Sequence, residues 1–335
     1  MIKMRLLIAG PLPEKDKSGG VAVFDENLAV EAKRRGYEVL FATKQVSSKI
    51  NLGIPCISVY NLRKIRKFNP DVVISSLQYS FILSMYNLKC TKIHILHGFT
   101  NFKSYSTFKF FIMHCIDRLI AYKYDVILAN SKYTEYVNDL IFDIKSNGIF
   151  YIGLDKKTIS YLSNNSNKKL NAVLYVGRLV KAKNVDKALE AFVKMGVSEA
   201  SFKVVGYGPE YQNLRKSFSS QKIKFTGGIK HQEIFNEYKK AKVFISLNNA
   251  EPFGITYVEA LAANMFIIAP NRGGQVEFLK QFSERVALVD INNKSEIAEA
   301  IKLGLRKQLP TLSKEELSKL SFGSTFDQIS SFFNK

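Results

Sequence analysis

The chain has 335 residues, 46% of them hydrophobic, which is enough for two domains that each bury a core. With 49 Lys and Arg against 29 Asp and Glu it carries a formal net charge of +20, shared between the two halves, and so calls for nucleic acid, an anionic membrane surface or phosphate-bearing substrates. No apolar run reaches the roughly eighteen residues of a membrane span, MIKMRLLIAGP lacks the length and cleavage site of a secretory signal, and Cys56, Cys90 and Cys115 have no C-x-x-C spacing, which excludes a disulfide framework and a zinc module.

These absences predict a cytoplasmic protein whose three thiols, all in apolar surroundings, are buried and structural. The first predicted strand, RLLIAG, opens into GPLPEKDKSGGVAVFDENLAVEAKRRGYEV. Here Gly19 and Gly20 precede a helix, where backbone N–H groups can approach a phosphate or sugar, although a glycine pair also suits a plain turn. Strands EVLFAT, DVVISS, KIHILHG and DVILANS follow, separated by helical patterns, as in a parallel doubly wound sheet. KIHILHGF ends in His97, at the carboxyl end of a strand, where it either hydrogen-bonds a ligand hydroxyl or is a satisfied structural histidine; His94, inside the strand, reads as structural.

Between these strands lie NLRKIRKFNP, with four basic residues, and a helix whose stripe is Phe108, Phe111, Ile112, Cys115, Ile116, Leu119 and Ile120. The stripe predicts a core-packing face, with Phe110 and Met113 outside it; a basic helix with extra aromatics also suits an anionic membrane.

The polar segment near residues 163–171 separates this series from a second one: AVLYVG, SFKVVG, KIKFTG, KVFISL and MFIIAP. AVLYVGRLVKAKN delivers Arg178 and Lys183 before a helix that starts near Asn184, two cations that suit a diphosphate or are only surface charge. In EPFGITYVEALAANMFIIAPNRGG, Pro252 disfavours helix at Glu251, so a helix begins near Gly254. The N–H groups of Gly254, Ile255 and Thr256 then offer an anion site, with Glu259 about 7.5 Å along the axis. Taken alone, Glu251 and Glu259 also fit a helix cap and a solvated face residue. Phe322, Phe326, Ile329 and Phe333 close the chain as a stripe that must pack on something.

Taken together, the Gly-Gly pair, the strand-end His, GRLVKAKN, VVGYGPE, GGIKHQEIFNEYKKA and EPFGITYVEALAANMFIIAPNRGG resemble the retaining glycosyltransferases of family 4 over essentially the whole chain. The resemblance implies an α/β GT-B fold: two facing Rossmann-like domains with a central cleft, an acceptor domain over 1–165, a nucleotide-sugar domain over 166–312, and a helical segment over 313–335 docking towards the first. It implies that Arg178 and Lys183 neutralise the donor diphosphate, Glu251 contacts the transferred sugar and Glu259 holds the ribose. Gly254 to Thr256 would meet phosphate, the backbone near Lys230 the base, Gly19, Gly20 and His97 the acceptor side, and Gly273 and Gly274 the far wall. Where many members have an Asn-Gly-Val-Asp turn, this chain reads YIGLD and keeps only Gly153 and Asp155.

No D-x-D occurs, so no metal and no cofactor are expected, with a UDP- or GDP-sugar as donor. Basic charge points to a lipid-linked or envelope-glycan acceptor at the cytoplasmic membrane face. A glycosyltransferase acting on nucleic acid, a nucleotide-sugar epimerase of the same fold and a catalytically silent sugar-binding module are the alternatives; diffuse charge without an aromatic-basic module speaks against the first.

Overall fold

The computed structural model describes residues 3–11, 20–42, 59–77, 79–99, 107–164, 169–196 and 199–334. Gly19 and Cys56 lie outside the described residues. The chain forms two compact units, residues 1–152 with 322–335, and residues 153–321.

Unit 1 alternates β1 (Arg5–Ala9), α1 (Gly20–Arg34), β2 (Glu38–Ala42), α2 (Val59–Phe68), β3 (Val72–Ser76), α3 (Tyr79–Met85), β4 (Thr91–Leu96), α4 (Thr107–Lys123), β5 (Val126–Ala129), α5 (Lys132–Phe142) and β6 (Gly148–Ile149). Every strand pair is parallel, in the order β2-β1-β3-β4-β5-β6. Apolar runs bounded by turn residues make such strands, because both faces of a parallel sheet are covered. Leu6, Ile8, Val72 and Ile74 pack on one face with Phe24 and Leu28 of α1. Their neighbours Leu7, Ala9 and Val73 point the opposite way, into a layer with Ile65, Leu83, Ile116 and Ile120. The sheet's order reverses between β1 and β3, and their carboxyl ends mark the unit's switch point.

Unit 2 runs α6 (Lys156–Ser163), β7 (Leu170–Val176), α7 (Val185–Met195), β8 (Ser201–Val205), α8 (Tyr211–Ser217), β9 (Ile223–Gly227), α9 (His231–Lys240), β10 (Ala241–Ile245), α10 (Ile255–Ala262), β11 (Phe266–Pro270), α11 (Gln275–Leu279), β12 (Val286–Val289), α12 (Lys294–Arg306) and α13 (Lys314–Lys319). Its sheet is also parallel, ordered β12-β11-β10-β7-β8-β9, with the reversal between β7 and β10. Tyr175, Leu189, Phe192, Phe202, Ile297 and Ile301 sit in one core between this sheet and helices α7 and α12.

The chain passes from unit 1 to unit 2 within YIGLD. A Cβ on Gly153 would meet the backbone of Ser321 at 2.3 Å, and Asp155 caps α6 by accepting from Lys157 N at 2.9 Å and Thr158 N at 3.0 Å. The two residues retained from the motif are thus the two the geometry needs. The crossing falls at Gly153, before the polar segment near residues 163–171, because α6 packs in unit 2 against α9 and α10. The last helix, α14 (Phe322–Ser330), returns to unit 1 and packs on α1. The segment expected from residue 313 is shorter than that, since α13 stays with unit 2.

Two expectations from the sequence are corrected. Cys115 is exposed and Cys90 half-buried, so the thiols are not uniformly buried. On α4 the packed face is rotated: Met113 is 6% exposed and joins Ile116 and Ile120 inside, whereas Phe108 and Phe111 stand 75% and 62% exposed. Contact with α3 fixes that rotation; the helix is apolar almost all round and its periodicity alone does not.

Candidate active site

In unit 2 Arg178, Lys183, Glu251 and Gly254 lie in the loops at the carboxyl ends of β7 and β10, where the strand order reverses, whereas Lys230 follows the edge strand β9. Strand β7 is followed by Gly177, and Tyr175 OH donates to the Arg178 carbonyl at 2.9 Å, which fixes the loop while leaving the Arg178 side chain exposed. Gly206, after β8, has φ +140°, and a Cβ there would lie 1.9 Å from the Gly177 carbonyl oxygen, so only glycine lets the two loops stack. A single 3-10 turn, Lys181–Lys183, then places Lys183 before α7.

Lys183 Nζ meets Glu251 Oε2 at 2.5 Å across 68 positions of sequence. Asn248 Nδ2 donates to the same oxygen at 2.8 Å, and the Glu251 carbonyl accepts from Gly274 N at 2.8 Å. Asn184 Nδ2 donates to Leu247 O at 2.8 Å and ties the two strand-end loops together. Gly254 is the N-cap of α10 with φ +87°; a Cβ there would strike the Tyr257 ring at 2.6 Å. It turns the chain so that the N–H groups of Ile255 and Thr256 begin the helix, where helix ends leave donors for a ligand.

Glu259 is 7% exposed, and Tyr238 OH donates to its Oε2 at 2.9 Å. It is therefore not a solvated helix glutamate. Burial, opposed by the Tyr238 bond, raises its carboxyl from the ordinary 4.5 to about 7. Between those values the folded state keeps a proton that the unfolded chain has lost, so stability falls as pH rises through the window. Glu259→Gln is expected to flatten that fall by up to about 3 kcal/mol between about pH 5 and about pH 8. Urea melts across this range check it, and an unchanged slope would show that Glu259 does not titrate there.

Lys230 is exposed and is the N-cap of α9, its carbonyl accepting from Glu233 N at 2.9 Å. Gly273 has φ +108° and precedes α11, with the Gln275 side chain folded beneath it.

In unit 1, Gly20 begins α1, and among the described residues nothing stands within 4 Å of where a Cβ would be. His97 follows β4 and is half-buried. Its Nε2 is 2.9 Å from Ser76 Oγ, and its ring meets Phe24 edge-on at 4.8 Å. Asn130 Nδ2 donates to the His97 carbonyl at 2.9 Å and Asn138 Nδ2 to the Gly98 carbonyl at 3.0 Å, holding the loop from below. Burial, and then His94, push the imidazole down to about 3. His97 is thus a neutral hydrogen-bonding group at physiological pH. His94 is buried, with Nδ1 2.6 Å from Ser80 Oγ, as a structural histidine should be.

Sequence reading missed Asn248, Tyr238, Ser76 and Asp25, whose partners are set by the sheet and not by spacing. The two groups of residues belong to different units.

Residues 158–319, nearly all of unit 2, match the family model described as Glycosyl transferases group 1. Over 108 residues the chain is 37% identical to an alpha-monoglucosyldiacylglycerol synthase of Acholeplasma laidlawii, a match covering 30% of this chain and 27% of that protein. A GDP-mannose-dependent alpha-(1-6)-phosphatidylinositol monomannoside mannosyltransferase of Mycobacterium tuberculosis (strain ATCC 25618 / H37Rv) is 30% identical over 142 residues, 38% of this chain and 37% of that one. The chain thus spans about a quarter to a third of the length of these curated relatives. Sucrose-phosphate synthase from Thermosynechococcus elongatus superposes with a TM-score of 0.73 at 15% identity, covering 99% of this chain and 98% of that chain. That likeness shows the fold, GT-B, as the motifs implied.

Proposed function

We propose that this chain is a group 1 glycosyltransferase, of retaining family 4, that moves a sugar from a UDP- or GDP-sugar to a lipid-linked or envelope-glycan acceptor. The observation that carries the reading is the cluster at the β7 and β10 strand ends: Lys183 and Asn248 on Glu251, beside the start of α10. The domain match and the glycolipids named in the two relatives support it.

Transfer breaks the bond between the anomeric carbon and the donor phosphate oxygen and forms one to an acceptor oxygen, while the acceptor's proton passes to the leaving phosphate. Charge therefore grows on the diphosphate. Arg178, Lys183 and the N–H groups of Gly254, Ile255 and Thr256 are fixed positive partners for it, which is the arrangement that lowers such a barrier most. These cations do the work for which other transferases use a divalent metal. Glu251, held in place by Lys183 and Asn248, orients the sugar. Glu259 holds the ribose and the backbone at Lys230 meets the base, while Gly19, Gly20 and His97 serve the acceptor side. With no second carboxylate assigned to the opposite face, same-face attack assisted by the leaving phosphate gives retention, unlike the two-carboxylate route of glycosidases.

The acceptor reading rests on one layer of unit 1. Exposed Arg63, Lys64, Arg66 and Lys67 of α2 lie on the same sheet face as α4, which presents Phe108 and Phe111 outward; α5 adds exposed Tyr136 and Leu140. Among the described residues no helix is long and apolar enough to cross a membrane. Basic charge beside exposed aromatics suits peripheral contact with anionic lipid.

The test is a screen of UDP- and GDP-sugars by thermal shift and by nucleotide release, with and without anionic vesicles carrying a glycolipid. One donor should raise the melting temperature, and the protein should float with the vesicles at low salt and release them at high salt. Failure of every nucleotide sugar at millimolar concentration would sink the reading; flotation that is absent or indifferent to salt would remove the membrane.

A further inference from the structure

Unit 1 buries a carboxyl group that none of these roles uses. Asp25 of α1 is 1% exposed. Its Oδ1 is 2.7 Å from Ser76 Oγ, and the same Ser76 Oγ is 2.9 Å from His97 Nε2. Its Oδ2 is buried without a hydrogen-bond partner among the described residues and lies against Gly10, where a Cβ would be 1.9 Å away. Ser76 ends β3, Gly10 follows β1, and His97 follows β4, so the three converge at the unit's switch point. An apolar side chain on α1 would fill this space without the cost of burying a half-satisfied carboxyl, so the group is misplaced if its role is packing alone.

The Ser76 hydroxyl has a single proton and stands between two groups. If the Asp25 carboxylate takes that proton in a hydrogen bond, Ser76 Oγ can only accept from His97, whose proton then sits on Nε2 and whose Nδ1 is an acceptor. If Asp25 is protonated and donates to Ser76, the hydroxyl turns to His97 Nε2, and the imidazole proton moves to Nδ1, which becomes a donor. The balance is one proton gained, at Asp25; the imidazole stays neutral in both states.

We propose that Asp25 is a positioning residue that acts through Ser76 to set the tautomer of His97, and so decides whether Nδ1 offers a donor or an acceptor to a ligand hydroxyl. That the ligand is a sugar substrate rests on the function proposed above; the tautomer relay does not. Burial, opposed by the Ser76 bond, pushes Asp25 up to about 8, so the donor form prevails at neutral pH. Among the described residues, the titratable groups around the relay are His97 itself, then His94 and Tyr124 on the other face of β3, and Asp327 of α14, which pairs with Arg35 farther along α1.

The chain has four histidines, so nitrogen-15 spectra of histidine-labelled protein resolve the two ring nitrogens of His97 without any substrate. The expected result is a wild-type His97 that changes from the Nδ1–H to the Nε2–H form as pH rises through about 8, as its carboxyl partner titrates. Ser76→Ala should abolish the change and Ser76→Thr should restore it. In turnover, Ser76→Ala should lower kcat about tenfold with donor KM unchanged, again with recovery in the threonine variant. A wild-type tautomer constant across this pH range, or a Ser76→Ala protein that switches as wild type does, overturns the relay. A switch present in the wild type and lost in Ser76→Ala, in a protein that turns over no nucleotide sugar, would uphold the relay and defeat the proposed function instead.

Discussion

Lys183→Ala is expected to lower kcat for sugar transfer by about 10²–10³-fold, the loss seen when a fixed donor to developing charge is removed. The lysine has two partners to serve. In the free protein it meets Glu251; under the proposed function it would also face a bound donor's diphosphate, which gains negative charge as the sugar leaves. Folding should suffer much less, because the Lys183 side chain is 26% exposed and a solvent-accessible pair contributes only up to about 1 kcal/mol. Asn248 remains on Glu251 in the variant, so the carboxylate is not stranded. Steady-state kinetics with saturating donor, beside a thermal melt, separate the two effects. A kcat within tenfold of wild type would remove Lys183 from the chemistry, and a collapsed melt with normal specific activity of the folded fraction would make it structural.

Lys183 also shows what could be read from the chain without coordinates. Its cation in a glycine-bounded loop before a helix is a local pattern, and so is the E-P-F-G start of α10; both emerge in the structure where the spacing puts them. That Lys183 reaches Glu251, 68 positions away, depends on β7 and β10 being neighbours in the sheet. Asp25 and Ser76 are 51 positions apart and are joined by the packing of α1 over β3. Neither distance leaves a periodic trace. Ten strands were legible because each is an apolar run closed by a turn residue; β6 has two residues and β12 four, too few for such a signal. On α4, which is apolar almost all round, Ile112, Ile116 and Ile120 of the stripe pack inside as expected, but the face is rotated towards Met113 and leaves Phe108 and Phe111 exposed.

Phe326→Ala is expected to cost about 3–5 kcal/mol, the usual loss for emptying a buried phenylalanine site, and to melt unit 1 earlier by about 10 °C for a unit of this size. The ring is 0% exposed, within 5.6 Å of Tyr37 and 5.9 Å of Phe333, with the Arg35 guanidinium 4.8 Å from its centre. It is the middle of the stripe by which α14 covers Ile8, Phe24 and Leu28 after the chain has traversed the whole of unit 2. The same helix makes a surface ion pair, Asp327 with Arg35, and here packing and charge can be weighed against each other. Asp327 is 64% exposed on its side chain, so Asp327→Ala should cost under about 1 kcal/mol. Calorimetry on both variants decides it. Because the described core around Phe326 belongs to unit 1, the melt of unit 2 and its response to nucleotide should stay in place while the unit 1 transition moves. Equal shifts from the two substitutions would mean that charge, not apolar burial, holds the last helix; no shift from Phe326→Ala would mean that the helix adds nothing to the stability of unit 1.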